Sequence, residues 1–376
     1  MAVEIRPINN TRSELKKFVE FGIDFYKGNR WFVPPLVTDD VNTLYPKTNP
    51  AYDFCESQSF MAYKDGKPAG RITGIINSKV NQRTGVDTVR FGFVEFIDDR
   101  EVSEALFNAV EEWGRGKGMT EIAGPLGFTD LDHEGMLTEG FEELGTMATI
   151  YNYPYYPEHL KARGMEVETE WVEYRFDIPR EVPEKVARIA EIIKKRYSLK
   201  VARPGSKKEL KEKYGHQLFR VINEAYDGLY GYSPLTDRQI DHYIRQYLGI
   251  LKLNDVCVIV DAEDSLVGVG ISMPSFSVAL QKSRGRFFPM GWYHLLKAWT
   301  GHTDTVDLLL VAVKPEYQNK GVNALIMSEL IPNYVKNGYR YAESNPELHT
   351  NAGVQNQWKY FEKRHHRRRA AFRKKL

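Results

Sequence analysis

The feature that most constrains the fold of this chain is an internal repeat with a lag of about 220 residues. Two strand-like segments, DTVRFGFVEF at 87–96 and DTVDLLLVAV at 304–313, begin with the same three residues. GMTEIAGP at 118–125 and GYRYAESNP at 338–346 follow them at nearly the same distance. We therefore expect two copies of one structural unit.

Each copy also carries the signals of a hairpin and a helix. Asp65-Gly66 and Asp264-Ser265 are turn dipeptides between apolar segments, as is typical of β-hairpins. EVSEALFNAVEEWGRGKG and VNALIMSELIPNYVKNG space apolar residues by three and four and end at a glycine, which predicts helices. The order hairpin, strand, helix, parallel strand predicts a mixed α/β (α+β) domain. We expect two tandem domains, 1–178 and 179–376, each a mixed, partly antiparallel sheet flanked by helices.

Composition excludes several classes of protein. The 376 residues exceed one usual domain, and 42% hydrophobic with 27% charged residues is typical of a soluble globular protein. A net charge of +2 does not indicate a nucleic-acid partner. The two cysteines, Cys55 and Cys257, support neither a disulfide framework nor a thiolate metal site. Without a signal peptide or a membrane-length apolar run, a cytoplasmic enzyme is expected.

The loop before the second predicted helix indicates a phosphate site. It reads Gln318-Asn319-Lys320-Gly321 and follows directly on a predicted strand. A helix N-terminus presents unpaired N–H groups and a partial positive charge, which suits a pyrophosphate. Gly321 would let the backbone approach the anion, and Lys320 adds a cation. The alternative is a helix cap with no ligand.

With this loop inside a repeated unit, the chain resembles the GCN5-related N-acetyltransferase (GNAT) superfamily in tandem. The family loop is Gln/Arg-x-x-Gly-x-Gly/Ala, and the chain departs from it at Asn323. The resemblance implies an acetyl-CoA or longer acyl-CoA cofactor and no metal. The residues expected to bind the cofactor are Val311, Val313, Gln318, Asn319, Lys320, Gly321, Val322, Asn323, Ala324 and Asn351.

The first copy differs at the equivalent loop. It carries Asp98, Asp99 and Glu101 where the phosphates would lie. Acidic side chains favour a helix start but repel a polyphosphate. We therefore expect the N-terminal domain to be cofactor-free and the chain to bind one acyl-CoA.

The resemblance also implies catalytic residues in the second copy. Glu343, at the end of the predicted fifth strand, is the first choice for the general base, and Asp307 on the preceding strand is the second. Either carboxylate could instead be a cap or an ion-pair partner. The tyrosine that acts as the general acid in the family falls near Trp358, which cannot protonate a thiolate as a phenol can. Tyr360 is therefore the candidate acid.

Two unusual segments suggest an acceptor site. Residues 124–165 combine acidic residues with tyrosines, which suits an amine because carboxylates and ring faces attract ammonium groups. The Asp-x-Asp-His-Glu spacing fits no common metal site. Residues 284–299 form the most apolar aromatic stretch and predict a helix packed on the other domain, an acyl-chain channel or a membrane-contacting patch. The expected substrate-binding residues are Asp130, Asp132, His133, Glu134, Tyr151, Tyr153 and Trp292.

The C-terminal residues 363–375 contain eight lysines and arginines. This run predicts either a final edge strand with a solvated tail or a surface for an anionic partner, such as acyl carrier protein or the inner face of a membrane. Nucleic acid is not expected.

Taken together, these features predict an N-acyltransferase that moves an acyl group from acyl-CoA to a primary amine, such as a small molecule or lipid amine, by direct attack in a cleft between the two domains. Two alternatives stay open. One is a non-catalytic module that binds CoA, lipid or a carrier protein. The other is a transferase that uses aminoacyl-tRNA, as Fem-type enzymes do. The acceptor, the acyl length and the oligomeric state are not determined by the sequence.

Overall fold

The computed structural model describes residues 3–376; Met1 and Ala2, which open the predicted first domain, lie outside the described residues. The chain forms two compact units. Unit 1 comprises Met1–Val172, Phe276–Leu296 and Arg367–Leu376, and unit 2 comprises Glu173–Ser275 and Lys297–His366. The chain thus passes between the units more than once, whereas the sequence analysis placed one boundary after residue 178.

Strands and helices both occur throughout the described residues. The strands are β1 (Glu4–Ile8), β2 (Cys55–Lys64), β3 (Lys67–Asn77), β4 (Thr88–Phe96), β5 (Glu121–Gly124), β6 (Met136–Glu139), β7 (Glu166–Asp177), β8 (Lys200–Ala202), β9 (Val256–Val260), β10 (Leu266–Pro274), β11 (Thr305–Val313), β12 (Tyr341–Ser344), β13 (Glu347–Leu348) and β14 (Lys363–Lys375). The helices are α1 (Arg12–Phe25), α2 (Val37–Leu44), α3 (Ser78–Thr84), α4 (Arg100–Gly116), α5 (Tyr156–Ala162), α6 (Glu184–Arg196), α7 (Lys207–Glu209), α8 (Gly215–Tyr226), α9 (Asp237–Gln246), α10 (Ser277–Ser283), α11 (Gly291–Trp299), α12 (Val322–Lys336) and α13 (Ala352–Asn356).

Unit 1 is built on a mixed sheet with the order β1-β2-β3-β4-β5-β14-β7. The first four strands are antiparallel neighbours, and β4 and β5 are parallel, with Val89 opposite Ile122. Helix α4 connects β4 to β5. Its apolar side chains recur on one face, so that face is buried in the core with Phe91 and Phe372. The predicted hairpin, strand, helix and parallel strand are confirmed in this unit.

Unit 2 repeats this topology with the order β12-β11-β10-β9-β8, and residues 175–177 of β7 pair with β12. Strands β9, β10 and β11 are antiparallel neighbours, and β11 and β12 are parallel. Helix α12 connects the parallel pair and packs on the sheet through buried residues such as Ile326 and Leu330. The predicted mixed α+β fold with a repeated unit is therefore confirmed.

The basic C-terminal run forms β14, whose residues 372–375 pair with β5 of unit 1. Because β7 flanks its other side, it is an internal strand and not the predicted edge strand. Ala370, Ala371 and Phe372 are completely buried. The arginines that precede these apolar residues have partners within the protein. Arg368 lies 3.2 Å from Glu139, and Arg369 donates to the carbonyl of Ile150. The expectation that this run binds an anionic partner stays a prediction.

The aromatic insertion is divided between the units. Its first part, with α10 and the start of α11, belongs to unit 1 and not to the unit whose strands surround it in sequence. The amide of Val37 donates to the carbonyl of Gly285, 2.9 Å away, and Gly285 also has a left-handed φ of 66°. A Cβ at Gly285 would lie 2.0 Å from the carbonyl oxygen of Pro35, so only glycine fits this contact.

Candidate active site

The parallel strands of unit 2 separate part of the way along. The pairing of β11 with β12 covers Thr305 to Leu308, and Asn345 then closes it by donating from Nδ2 to the carbonyl of Leu309, 2.7 Å away. Leu309 is an extra residue in the pairing with β10, because Leu308 and Leu310 oppose consecutive residues of that strand. This β-bulge bends β11 at the point of separation. Among the described residues, no strand pairs with positions 309–313 on the β12 side, where the Tyr226 hydroxyl donates to the Val311 carbonyl at 3.3 Å.

The phosphate loop predicted from the sequence follows directly on this edge. Gln318 donates from Nε2 to the carbonyl of Val313, 3.1 Å away, which fastens the loop to the strand end. Gly321 is the N-cap of α12 with φ 88°, and no side chain caps the helix there. The first turn of a 15-residue helix therefore presents its amides close to the end of β11.

The structure gives Gly321 a second role that the sequence analysis did not identify. A Cβ at this position would lie 3.0 Å from Ile189 and 3.2 Å from Ile193, both on α6. The glycine thus permits both the left-handed turn and the close packing of α6 on the start of α12. A substitution here would disturb the fold as well as any bound anion.

The other predicted cofactor residues lie around this loop. Lys320 has its Nζ 5.2 Å from the ring centre of Tyr197 and 5.7 Å from that of Tyr317, which holds the cation beside the loop. Asn319 adopts a left-handed φ of 57°. The remaining positions are Val311 and Val313 on β11, Val322, Asn323 and Ala324 in the first turn of α12, and Asn351, whose Oδ1 accepts from the Val354 amide and caps α13.

A row of charged residues crosses three strands of unit 2. Asp307 on β11 is the register partner of Glu343 on β12, and Glu343 is the partner of Arg175 on β7. Their neighbours Val306 and Ala342 lie in the core cluster with α12, so the charged side chains point to the opposite face. Both predicted base candidates are therefore adjacent and buried, with 1% and 6% exposure.

Glu343 is held from two sides. Arg175 donates from an Nη to Oε1 at 3.0 Å, and Nε2 of His366 lies 3.2 Å from Oε2. Arginine stays charged, so it stabilises the carboxylate form of Glu343 and fixes its orientation. Sequence reasoning missed Arg175 and His366, because β7 and β14 lie far from the repeated strands in sequence.

The predicted acid, Tyr360, ends a 3₁₀ turn and is only partly buried. The Lys359 ammonium beside it, together with Lys185, holds the pKa of the phenol below its usual range. Trp358 is buried, packs on Phe176 and donates from Nε1 to Oε1 of Glu347 at 2.7 Å. The indole at the family's tyrosine position is thus part of the core of unit 2.

Unit 1 contains the same strand separation, and tyrosine side chains of the unit bond both the amide and the carbonyl of one residue at its edge. Beyond the parallel pairing of β4 with β5, the Phe96 carbonyl accepts from the Tyr155 hydroxyl at 2.6 Å and the Phe96 amide donates to the Tyr156 hydroxyl at 3.1 Å. Asp99 caps α4 by accepting from the amides of Glu101 and Val102. A tyrosine hydroxyl thus donates to the strand edge in both units, to Phe96 in unit 1 and to Val311 in unit 2, whereas the helix start has a side-chain cap in unit 1 and none in unit 2.

The acidic segment of unit 1 forms a cluster of carboxyl groups with unusual electrostatics. Asp130 and Glu134 are partly exposed, yet burial of their carboxyl groups raises the pKa of Asp130 to about 7 and the pKa of Glu134 well above its usual range. The adjacent charge of Asp132 raises both pKa values further, and Arg90 lowers both. Asp132 itself accepts from the Thr129 amide at 2.9 Å.

A further carboxyl group, Asp40 on α2, joins this cluster through its interaction with Asp132. It is 8% exposed, and burial raises its pKa to about 7, opposed by the Arg71 guanidinium and assisted by Glu95 and Asp132. Within residues 3–376, no hydrogen bond reaches the carboxyl groups of Asp40, Asp130 or Glu134. Sequence reasoning missed Asp40, because only the packing of α2 brings it to the acidic segment.

The other predicted acceptor residues have structural contacts. His133 donates from Nε2 to the Met147 carbonyl at 3.0 Å, since a carbonyl can only accept, and burial lowers its pKa. Tyr151 is buried against Tyr26, and Tyr153 packs on the same ring. Trp292 lies on α11, 42% exposed. Their predicted roles in substrate binding stay predictions.

Two other features are absent from the described residues. Within residues 3–376, no group of three or more His, Cys, Asp or Glu side chains has an arrangement that could hold a metal ion. Across the same residues, no helix is long and apolar enough to cross a bilayer.

Comparisons with known proteins extend these observations. No protein-family model matches the chain. Protein YghO from Escherichia coli is 26% identical over 356 residues, which cover 92% of this chain and 88% of that protein. Bacterial ceramide synthase from Caulobacter vibrioides is 25% identical over 324 residues, or 82% of this chain and 80% of that protein.

Solved structures show the fold. A tandem GNAT protein from the clavulanic acid biosynthesis pathway aligns with a TM-score of 0.57 at 13% identity, over 99% of this chain and 98% of that one. The alignment covers both units, so it shows the fold of each of them. The predicted resemblance is confirmed in the fold: the chain is a tandem GNAT-fold protein.

Proposed function

We propose that this protein is an acyl-CoA-dependent N-acyltransferase that acylates the primary amine of a lipid. The observation that carries the proposal is the edge of β11 beyond Leu308, where β12 no longer pairs with it, which leads through a fastened loop to the uncapped N-terminus of α12. A strand edge offers hydrogen bonds to an extended amide-containing arm, and a helix start offers amides to a pyrophosphate. CoA has both parts in this order.

Unit 2 is the unit proposed to bind acyl-CoA. Lys320 would face the phosphates from the ring faces of Tyr197 and Tyr317. In unit 1, the Tyr155 and Tyr156 hydroxyls occupy the corresponding edge, and Asp99 supplies a negative charge at the helix start. These contacts support a stoichiometry of one acyl-CoA per chain.

The lipid acceptor is proposed from the ceramide synthase relative. A ceramide is an amide of a long-chain amino alcohol, so its synthesis joins an acyl group to an amine on a lipid. The acidic cluster of Asp40, Asp130 and Glu134 suits the ammonium form of such an amine, because carboxyl groups that titrate near neutral pH can carry the negative charge that attracts the cation. We also propose a cytoplasmic protein that works at a membrane surface.

The proposed chemistry is direct attack. The amine nitrogen forms a bond to the thioester carbonyl carbon, the C–S bond breaks, a base receives the amine proton and the thiolate of CoA takes up a proton. Glu343, oriented by Arg175 and His366, is the proposed base, with Asp307 beside it as the second candidate. Tyr360, whose phenol pKa is lowered, is the proposed proton donor.

The test is calorimetric titration with acetyl-CoA and palmitoyl-CoA, followed by an assay for free thiol with a long-chain amino alcohol. We expect one equivalent of CoA thioester to bind and thiol release to require the amine. Lys320→Ala should weaken binding, and Lys336→Ala at the other end of α12 should not. If neither thioester binds, the proposal fails, and aminoacyl-tRNA or a non-catalytic ligand becomes the next candidate.

A further inference from the structure

We propose that the segment from Phe287 to Leu296 docks the protein onto an anionic phospholipid bilayer. This inference concerns unit 1 and does not rest on the proposed function, because docking can be measured without any acyl-CoA or amine. We define the aromatic patch by its exposed apolar side chains: Phe287, Phe288, Met290, Trp292, Tyr293 and Leu296.

The aromatic patch is a concentration of apolar surface. Within residues 3–376, six of the thirteen exposed large apolar side chains lie in these ten positions. Phe288 is 73% exposed and Met290 is 53% exposed. Single exposed apolar residues are ordinary on protein surfaces, but a contiguous cluster of them marks a surface for another apolar phase.

The base of the segment is fixed to unit 1. Arg286 contacts the carboxylate of Glu20 at 3.0 Å, and Gln281 donates to the carbonyls of Arg30 and Phe32 at 2.8 and 2.9 Å. These contacts hold the segment against the body of the unit while its aromatic end remains exposed. An anchored apolar projection loses little conformational freedom when it enters a bilayer, which favours docking.

The residue types match the surface of a membrane. Phenylalanine, methionine and leucine suit the acyl-chain boundary, while tryptophan and tyrosine suit the headgroup level because each has an apolar ring and a polar group. Trp292 and Tyr293 stand beside Phe288 and Met290 in this way.

Charge identifies the lipid class. Residues 265–303 contain no aspartate or glutamate and four lysines or arginines: Lys282, Arg284, Arg286 and Lys297. Arg284 and Arg286 pair with Asp24 and Glu20, which leaves Lys282 and Lys297 as the flanking cations. Basic residues beside an apolar patch are attracted to anionic lipid headgroups. The same cations would repel one another if two copies met through this patch.

The experiment is flotation of the full-length protein with vesicles of phosphatidylcholine alone and of an equimolar mixture with phosphatidylglycerol, without acyl-CoA. We expect wild type to float with the mixed vesicles and at least tenfold less with the neutral ones. The variant Phe288→Ser/Met290→Ser should lose at least tenfold in binding. The matched control Ile192→Ser/Val335→Ser removes two apolar side chains that are 51% and 40% exposed in unit 2 and should bind like wild type.

A charge variant tests the same surface without touching its apolar residues. Lys282→Glu should reduce binding to the mixed vesicles, and added salt should reduce the binding of wild type in the same direction. The inference is overturned if wild type floats with neither vesicle, or if the patch and control variants bind equally. It is also overturned if wild type is a dimer that the patch variant converts to a monomer and neither binds vesicles, since the patch would then join two copies.

Discussion

Asp307 and Glu343 are register partners on adjacent parallel strands, so two carboxyl side chains stand next to each other on one face of unit 2. Arg175 and His366 both contact Glu343, which balances the charge of the pair on the side of β7 and β14. Side-by-side carboxylates interact strongly, so proton transfer at one depends on the other.

This arrangement predicts the effect of removing each carboxyl group. Glu343→Gln should lower kcat by roughly 100-fold or more, the usual contribution of a general base, while the Kd for CoA stays within about twofold. Asp307→Asn should have a smaller effect on kcat. The measurement is kcat against pH for both variants. If the fall of kcat at acidic pH disappears only in Asp307→Asn, the general base is Asp307 and not Glu343.

A second prediction concerns the phosphate loop. Lys320→Ala should weaken CoA binding by about tenfold at low ionic strength, or about 1.4 kcal/mol, because a cation beside the pyrophosphate is lost. The difference from wild type should shrink as salt is added. Calorimetry at two salt concentrations measures both effects, with Lys336→Ala as the control. If Lys320→Ala and wild type bind CoA with equal affinity, the phosphates do not bind at this loop.

Asp40 gives a pH-dependent prediction for stability. Burial raises its pKa from 3.8 to about 7, so between these values the folded protein holds a proton that the unfolded chain releases. The contribution of this group to stability is therefore greatest below pH 4, falls as the pH rises to about 7 and changes no further. We expect Asp40→Asn to be more stable than wild type by roughly 1–3 kcal/mol at pH 8 and equally stable at pH 4.

Urea unfolding at several pH values measures this difference. The control Asp87→Asn removes an exposed carboxylate and should follow wild type at every pH. A loss of stability in Asp40→Asn at pH 8 would contradict the prediction, because it would mean that the charged form of Asp40 is stabilised in the folded protein.

The tryptophan at the family's tyrosine position gives a prediction about packing. Trp358 is 3% exposed, its ring centre lies 4.5 Å from that of Phe176, and it donates to Glu347. Trp358→Ala should destabilise unit 2 by about 3–5 kcal/mol. Tyr360→Phe removes only a partly exposed hydroxyl and should leave the melting temperature unchanged while lowering kcat. A normal kcat in Tyr360→Phe would remove Tyr360 from the mechanism.

The repeated part of the fold could be predicted from the sequence because its information is local. Apolar spacing specified α4 and α12, and the turn dipeptides at Asp65 and Asp264 specified both hairpins. The bounds of β4 and β11 follow for the same reason. Such patterns depend only on neighbouring residues, so they can be recognised without knowing how the rest of the chain folds.

The remaining features depend on contacts between segments that are distant in sequence. A run such as residues 363–375 is typical of a solvated surface, yet Arg369 is 1% exposed because its guanidinium meets backbone carbonyls of unit 1. Nothing in the sequence distinguishes Asp40 from the other acidic residues, because its burial depends on the packing of α2. The same applies to Arg175 and His366, whose meeting with Glu343 requires β7 and β14 to be in place.

The position of β14 has a consequence for how the protein is made. The pairing of Phe372 with Gly124 joins residues separated by most of the chain, and β14 lies between β5 and β7 in the sheet. While the ribosome is still translating unit 2, the N-terminal sheet lacks this internal strand and leaves two strand edges open. Such edges invite pairing with other nascent chains, so we expect a chaperone to hold the first 172 residues until residue 375 has emerged.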